Sequence, residues 1–155
     1  PQEIQRLELR ICDRIDDLPQ LLGIIALMEA RVHQVLEDPS LDPLATGLCD
    51  DDQLKQWSES NEAACAQNSL DAEVTRWDSG TVVIARDWIH EMLESARGTA
   101  DRHGFADRLA PVEDILENGN TAQQWLRQHA EGVSIPAVYA SAVAITEENE
   151  QKESF

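Results

Sequence analysis

Arg6, Glu8 and Arg10 alternate with Leu7, Leu9 and Ile11 in the stretch RLELRICD, residues 6–13. Successive side chains of an extended chain point to opposite faces, so the three charged residues share one face at spacings of about 6–7 Å. Those residue types have chemical capacity. A guanidinium binds phosphate or carboxylate through two parallel N–H bonds. A carboxylate between two guanidiniums can hold a hard cation such as Mg²⁺, which keeps most of its own waters. Together these parts suit phosphoryl transfer, in which charge on the transferring group is neutralised and positioned. The same pattern also suits a solvated strand face, whose ion pairs would contribute about 0–1 kcal/mol.

The elements that must position this trio follow from the apolar spacing. Glu3 to Cys12 reads as a strand by its strict alternation. Asp16 and Asp17 offer helix N-caps and Pro19 suits a first turn, so a long helix is expected to about Leu36. Leu21, Ile24, Ile25, Met28, Val32 and Val35 form one face at helical spacing, widened by Leu22, Leu27 and Leu36, which predicts the best-buried element of the chain. Residues 38–52, rich in Pro, Gly and Asp, read as loop. A second helix is expected from about Asp52 to Ala66, and a hairpin from Glu73 to Ala85 around Asp78-Ser79-Gly80. A third helix begins near Ala85 and stops at His103-Gly104. A fourth covers about Ala106 to Glu117, a fifth Thr121 to Ala130, and a last one, capped by Ser134, runs from Ile135 to about Thr146. EENEQKESF closes the sequence as an acidic, frayed tail. The fold class is therefore α+β and mostly helical, with one N-terminal strand and a small hairpin. A lone strand with an apolar face is not self-sufficient. Together with a first residue that is not Met, this reads as part of something longer.

Composition narrows the function. The 155 residues carry a formal net charge of -18, and 42% are hydrophobic. That is enough apolar content for a core. An acidic surface repels nucleic acid and anionic membranes, because phosphate binding needs clustered Lys and Arg. No run approaches the ~18 apolar residues of a membrane helix, and no secretory leader is visible. Cys12, Cys49 and Cys65 form neither a CxxC nor a zinc pattern, so reduced thiols in the cytoplasm are expected.

Other candidates have bland accounts. His33, His90, His103 and His129 are scattered over helices without an H-x₃-H spacing, which argues against a metal pair. His103 and His129 fall near helix C-termini, where the dipole favours them. Trp57, Trp77, Trp88 and Trp125 read as packing residues. Asp50-Asp51-Asp52 reads as a helix start rather than a cation site. Asn118-Gly119 ends one helix and Asn120-Thr121 caps the next.

The stretch RLELRICD, followed by LPQLLGIIALMEARV, resembles the corresponding segment of the glutamine synthetase superfamily. SNEAACAQNSLDAEV, ARDWIHEML and ILENGNTAQQWL resemble the C-terminal part of glutamate–cysteine ligases of the cyanobacterial type, in the carboxylate–amine ligase branch. The likeness runs from about Gln5 to Glu147. It implies that residues 1–147 are the C-terminal part of a ligase catalytic domain built on an antiparallel sheet, with 148–155 as tail. The implied reaction uses ATP to phosphorylate the side-chain carboxylate of glutamate, after which the amine of cysteine forms γ-glutamylcysteine. By position, Glu8 would be a Mg²⁺ ligand, Arg6 would contact the phosphate or nucleotide, and Arg10 the glutamate carboxylate or phosphate. Asp13 would hold the turn into the helix. Asn61 and Ser69-Leu70-Asp71 also match, while a basic residue often found there is replaced by Gln67 or Asn68. The resemblance covers about the last two-fifths of such a ligase, so the chain is expected to need the missing N-terminal part and to be inactive alone. Two further readings stay open: a ligase joining glutamate to another amine, and an acidic helical domain that binds a protein partner.

Overall fold

A computed structural model of the chain describes Ile15 and residues 17–153, with side chains through 148. The expected strand from Glu3 to Cys12, with Arg6, Glu8, Arg10, Cys12 and Asp13, lies outside the described residues.

Six α-helices and one hairpin follow among the described residues. Helix α1 spans Leu18–Glu37. Asp17 caps it by accepting from the Gln20 amide at 3.0 Å, and Pro19 sits in the first turn, where its missing N–H leaves no bond unmade. Helix α2, Asp51–Asn68, is capped by Asp50, with Asp51 and Asp52 in its first turn, so the acidic run is a helix start as expected. Strands β1 (Glu73–Thr75) and β2 (Val82–Ile84) pair antiparallel, with Val74 opposite Val83. Helix α3 follows β2 directly, from Ala85 to Arg102.

Helix α4 starts later than the sequence suggests. Residues 106–109 form a 3₁₀ turn, and the α-helix is Ala110–Asn118. Pro111 has no N–H to donate back to residue 107, so an α-helix cannot run unbroken through this point. Helix α5 is Thr121–Ala130, and α6 is Ile135–Glu153. The last helix passes the expected end near Thr146, because the following Glu-rich stretch contains no Gly or Pro to stop it.

Two clusters make the interior. The larger joins Ala26 and Ala30 of α1, Leu93, Ala96 and Ala100 of α3, and Val112 and Leu116 of α4, closed by Phe105 and Leu109. The smaller lies under the hairpin, where Ala72, Val74, Ala85 and Trp88 are buried and Trp77 packs beside them. Trp77 and Trp88 meet with ring centroids 4.2 Å apart. Trp57, Trp77 and Trp125 are half-buried rather than fully interior.

Helix α1 corrects one expectation. Its buried face is Gln20, Gly23, Ala26 and Ala30, not the stripe of large apolar residues. Ile25 is 48% exposed and Leu36 73%. Helix α3, with six buried residues against four in α1, is the better-buried element. The reason is close approach. A Cβ built on Gly23 would lie 3.2 Å from Pro111 Cβ and 3.3 Å from the Arg108 carbonyl oxygen. Small residues let α1 lie against α4 at that distance; larger ones on the same face would force them apart. No described helix is long and apolar enough to cross a membrane.

Candidate functional site

The three stretches that carry the family resemblance lie far apart in sequence and meet at one corner. Ser69 and Asp71 follow α2, Arg86 opens α3, and Leu116 to Gln123 join α4 to α5. Asn120 Nδ2 donates to Ser69 Oγ at 2.6 Å. Gln123 Nε2 donates to Asp71 Oδ2 at 3.2 Å. Arg86 donates to the Leu116 carbonyl and, at 3.4 Å, to Asp71 Oδ1. The corner is thus tied by side chains from all three stretches.

Local sequence dictates this turn. Gly119 adopts φ +83, and a Cβ there would meet Gln123 Oε1 and Arg127 Nη1 at 2.9 Å, so only glycine fits without displacement. Asn120 then caps α5 reciprocally. Its Oδ1 accepts from the Gln123 amide at 3.0 Å, and Gln123 Oε1 accepts from the Asn120 amide at 3.2 Å. Arg127 donates to the Asn118 carbonyl, an orphan acceptor at the end of α4. Ser69 has φ 53, in the left-handed region that side chains seldom enter, as the C-cap of α2. From the other side, Asn118 donates to Asp114 Oδ1 at 2.7 Å, and Gln20 of α1 donates to Asp114 Oδ2 at 3.3 Å. The corner therefore reaches the first turn of α1.

Asn61, which also matches the resemblance, bonds to the backbone of β1. It accepts from the Thr75 amide at 2.7 Å and donates to the Thr75 carbonyl at 2.8 Å. This pins α2 to the end of β1 as a further strand would.

Two clefts open beside the hairpin and share Arg31 and Leu41. One, of about 370 Å³, is walled by Val32, Val35, Pro43 and Trp77. The other, of about 240 Å³, is lined by Arg76, Asp78, Trp88 and Glu91. Arg76 is held by both acids, its Nη2 lying 2.7 Å from Asp78 Oδ2, and its guanidinium carbon sits 5.7 Å from the Trp88 ring centre. These bonds push the Arg76 pKa up and, as the first cause, hold the Asp78 carboxyl below its ordinary value. Arg31 has neutral partners, Gln34 Oε1 at 2.6 Å and Ser95 Oγ at 3.4 Å. Burial lowers its pKa, yet a guanidinium stays cationic at neutral pH.

Two histidines dismissed from spacing alone come together. His33 and His103 stack with ring centroids 3.8 Å apart, and His103 Nε2 lies 3.2 Å from Glu37 Oε1. The available signal was His33-x₃-Glu37, one turn apart on α1; nothing local pointed to His103. His129 behaves as expected, its Nδ1 lying 3.2 Å from the Val133 carbonyl oxygen. Cys49 is buried and Cys65 exposed; both are free thiols, and desolvation raises both pKa values, which keeps them protonated.

Residues 2–152 match glutamate–cysteine ligase family 2 (GCS2). The chain belongs to this family. Among its curated relatives, a protein provisionally named glutamate–cysteine ligase 2 from Leifsonia xyli subsp. xyli is 30% identical over 139 residues, which are 87% of this chain and 35% of that protein. Proteins with corresponding provisional names from Solibacter usitatus and Rhodococcus jostii are 28% and 31% identical, over 78% and 81% of this chain and 30% and 32% of their own lengths. The chain thus spans about a third of the length of the curated relatives it matches. No solved structure matches it at the same level of significance. The matched range, residues 2–152, spans positions 6, 8 and 10 as well as the corner at Ser69, Asp71, Arg86 and Asn120.

Proposed function

We propose that this chain is part of an ATP-dependent glutamate–cysteine ligase that forms γ-glutamylcysteine in the cytoplasm, the first step of glutathione synthesis. The observation that carries the reading is the family match over residues 2–152. In the proposed reaction the γ-carboxylate of glutamate attacks the terminal phosphorus of ATP, and ADP leaves. The amine of cysteine then attacks the acyl carbon of the γ-glutamyl phosphate, loses a proton, and phosphate leaves. Arg6 would pair with the transferring phosphate or the nucleotide. Arg10 would hold the glutamate carboxylate or the phosphate, using the bidentate geometry that suits both.

Glu8 is assigned to a Mg²⁺ site. The described residues do not complete one. The one metal-compatible cluster among them, His33, Glu37 and His103, is mixed nitrogen and oxygen, which does not suit a hard cation. The described part supplies instead the rigid corner of Ser69, Asp71, Arg86 and Asn120, which we read as support for the rim of the substrate cleft.

Spanning about a third of its relatives, the chain is proposed to be inactive alone. The test supplies it with the N-terminal part of the Leifsonia xyli relative. γ-Glutamylcysteine formation dependent on ATP and cysteine is followed by mass spectrometry, with each part alone as control. Product only in the mixture is expected. Product from this chain alone would overturn the inactivity, and turnover with another amine but not cysteine would overturn the substrate.

A further inference from the structure

His33, Glu37 and His103 occupy the far end of α1 and α3 from the corner. We propose that they bind a borderline transition-metal cation of the Zn²⁺ class, clamping the C-terminal ends of the two helices together.

The geometry supplies the ligands. His33 and Glu37 are four residues apart on α1 and share a face. His103 is the C-cap of α3, its amide bonded to the Thr99 and Asp101 carbonyls. All three side chains therefore issue from helix ends rather than from long loops, which is how precise sites are held. One ligand atom from each lies within 4.8 Å of the others. Bonds of about 2.0–2.1 Å in tetrahedral geometry separate ligand atoms by about 3.3 Å. Closing from within 4.8 Å to that spacing is the movement the proposal requires of the three side chains, and it would end the His33–His103 stack.

The surroundings orient the carboxylate. Arg102 Nη2 donates to Glu37 Oε2 at 2.5 Å, so Oε1 is the oxygen turned to His103 Nε2, 3.2 Å away, and the cation would take the place of the proton in that contact. Arg102 is fixed in turn by the Thr99 hydroxyl and the Gly98 carbonyl, each at 3.1 Å. Such outer partners set ligand direction in metal sites.

The donor set selects the ion. Two imidazoles and one carboxylate suit Zn²⁺, Ni²⁺ or Cu²⁺, and leave a further position for water. Mg²⁺ prefers oxygen donors and is not expected here. The formal charge of -18 adds a field that draws cations toward the chain. The proposal uses none of Arg6, Glu8 and Arg10, so it does not depend on the ligase reading.

The test uses the full chain, stripped of metal with a chelator and titrated calorimetrically with ZnCl₂. One equivalent is expected to bind. His33→Ala and His103→Ala, with helix content checked by circular dichroism, should each weaken binding at least about tenfold. At a hundredfold excess over the dissociation constant the unmutated chain should melt about 5–10 °C higher. Imidazole nitrogen resonances of the unmutated chain give a readout that needs no variant. Zn²⁺ should shift those of His33 and His103 and leave His90 and His129 in place. Absence of one-equivalent binding, an unchanged isotherm in His33→Ala, or shifts at His90 or His129 instead would overturn the proposal.

Discussion

Asn120 and Ser69 stand 51 positions apart and share a hydrogen bond of 2.6 Å. One side chain thereby does two jobs. Asn120 caps α5 with its oxygen and secures the left-handed Ser69 with its nitrogen. Ser69 ends α2 and Asn120 begins α5, so the bond joins two helix boundaries that no backbone ladder connects.

Removing both jobs should cost more than removing one. Asn120→Ala loses the cap and the long-range bond and should destabilise by about 2–3 kcal/mol. Asn120→Ser keeps a capping oxygen but cannot reach Ser69, and should cost about 1 kcal/mol. Urea unfolding of the two variants separates the contributions. Equal losses would mean that the Ser69 bond contributes nothing.

Gly23→Ala tests the contact between α1 and α4. Alanine is the better helix former by about 1 kcal/mol. Its Cβ would nonetheless meet a proline ring and a backbone oxygen at 3.2 and 3.3 Å, neither of which can swing away. Net destabilisation of about 1–2 kcal/mol is expected, larger for Gly23→Val, by thermal or urea unfolding. A stabilised Gly23→Ala would show that the helices separate freely.

Leu93 and Leu109 are fully buried, each at 0% exposure. Leu93→Ala should lose about 3–5 kcal/mol, the transfer term plus the cavity left among Ala26, Ala30 and Ala100. Exposed Leu126→Ala should change stability by less than about 0.5 kcal/mol, which makes it the control in the same denaturation series.

Asp78 gives a pH signature. Arg76 holds its folded-state pKa below the ordinary 3.8, so its contribution is fully present above that value. It is lost as pH falls through the depressed folded value. Unfolding free energy should therefore drop more steeply below about pH 4 in the unmutated chain than in Asp78→Asn. Parallel acid limbs would mean that the Arg76 pair does not stabilise the hairpin. Because the pair is partly exposed, solvent screening keeps the difference small.

Glu8→Gln tests the catalytic assignment in the two-part assay. The substitution keeps the shape and removes the charge. Turnover should vanish while circular dichroism and urea midpoint stay unchanged. Retained turnover would remove Glu8 from the metal site.

What the sequence made legible was local. Asp17 with Pro19, Asp50 before α2, the Asp78-Ser79-Gly80 turn and the Asn120 cap each act through their own backbone neighbourhood, and the structure has each where expected. Two features were not local. The stripe of Ile25, Val32 and Val35 has helical spacing, but spacing does not say which face meets a neighbour, and Gly23, Ala26 and Ala30 allow a closer contact. His33 and His103 belong to different helices, so their stacking is decided by how α1 crosses α3 rather than by either helix. The hydrogen-bonded corner was half legible: the stretches that form it drew attention one by one, and only packing brings them together.

The Gln20–Asp114–Asn118 relay has a mechanical consequence. With Gly23 seated against Pro111, the front of α1 and the whole of α4 form a single stiff lever. A displacement at Asp17 would therefore reach the Gly119 bend by way of α4. Strain applied at the amino end would thus be felt at the far rim, although no ligand need bridge the two.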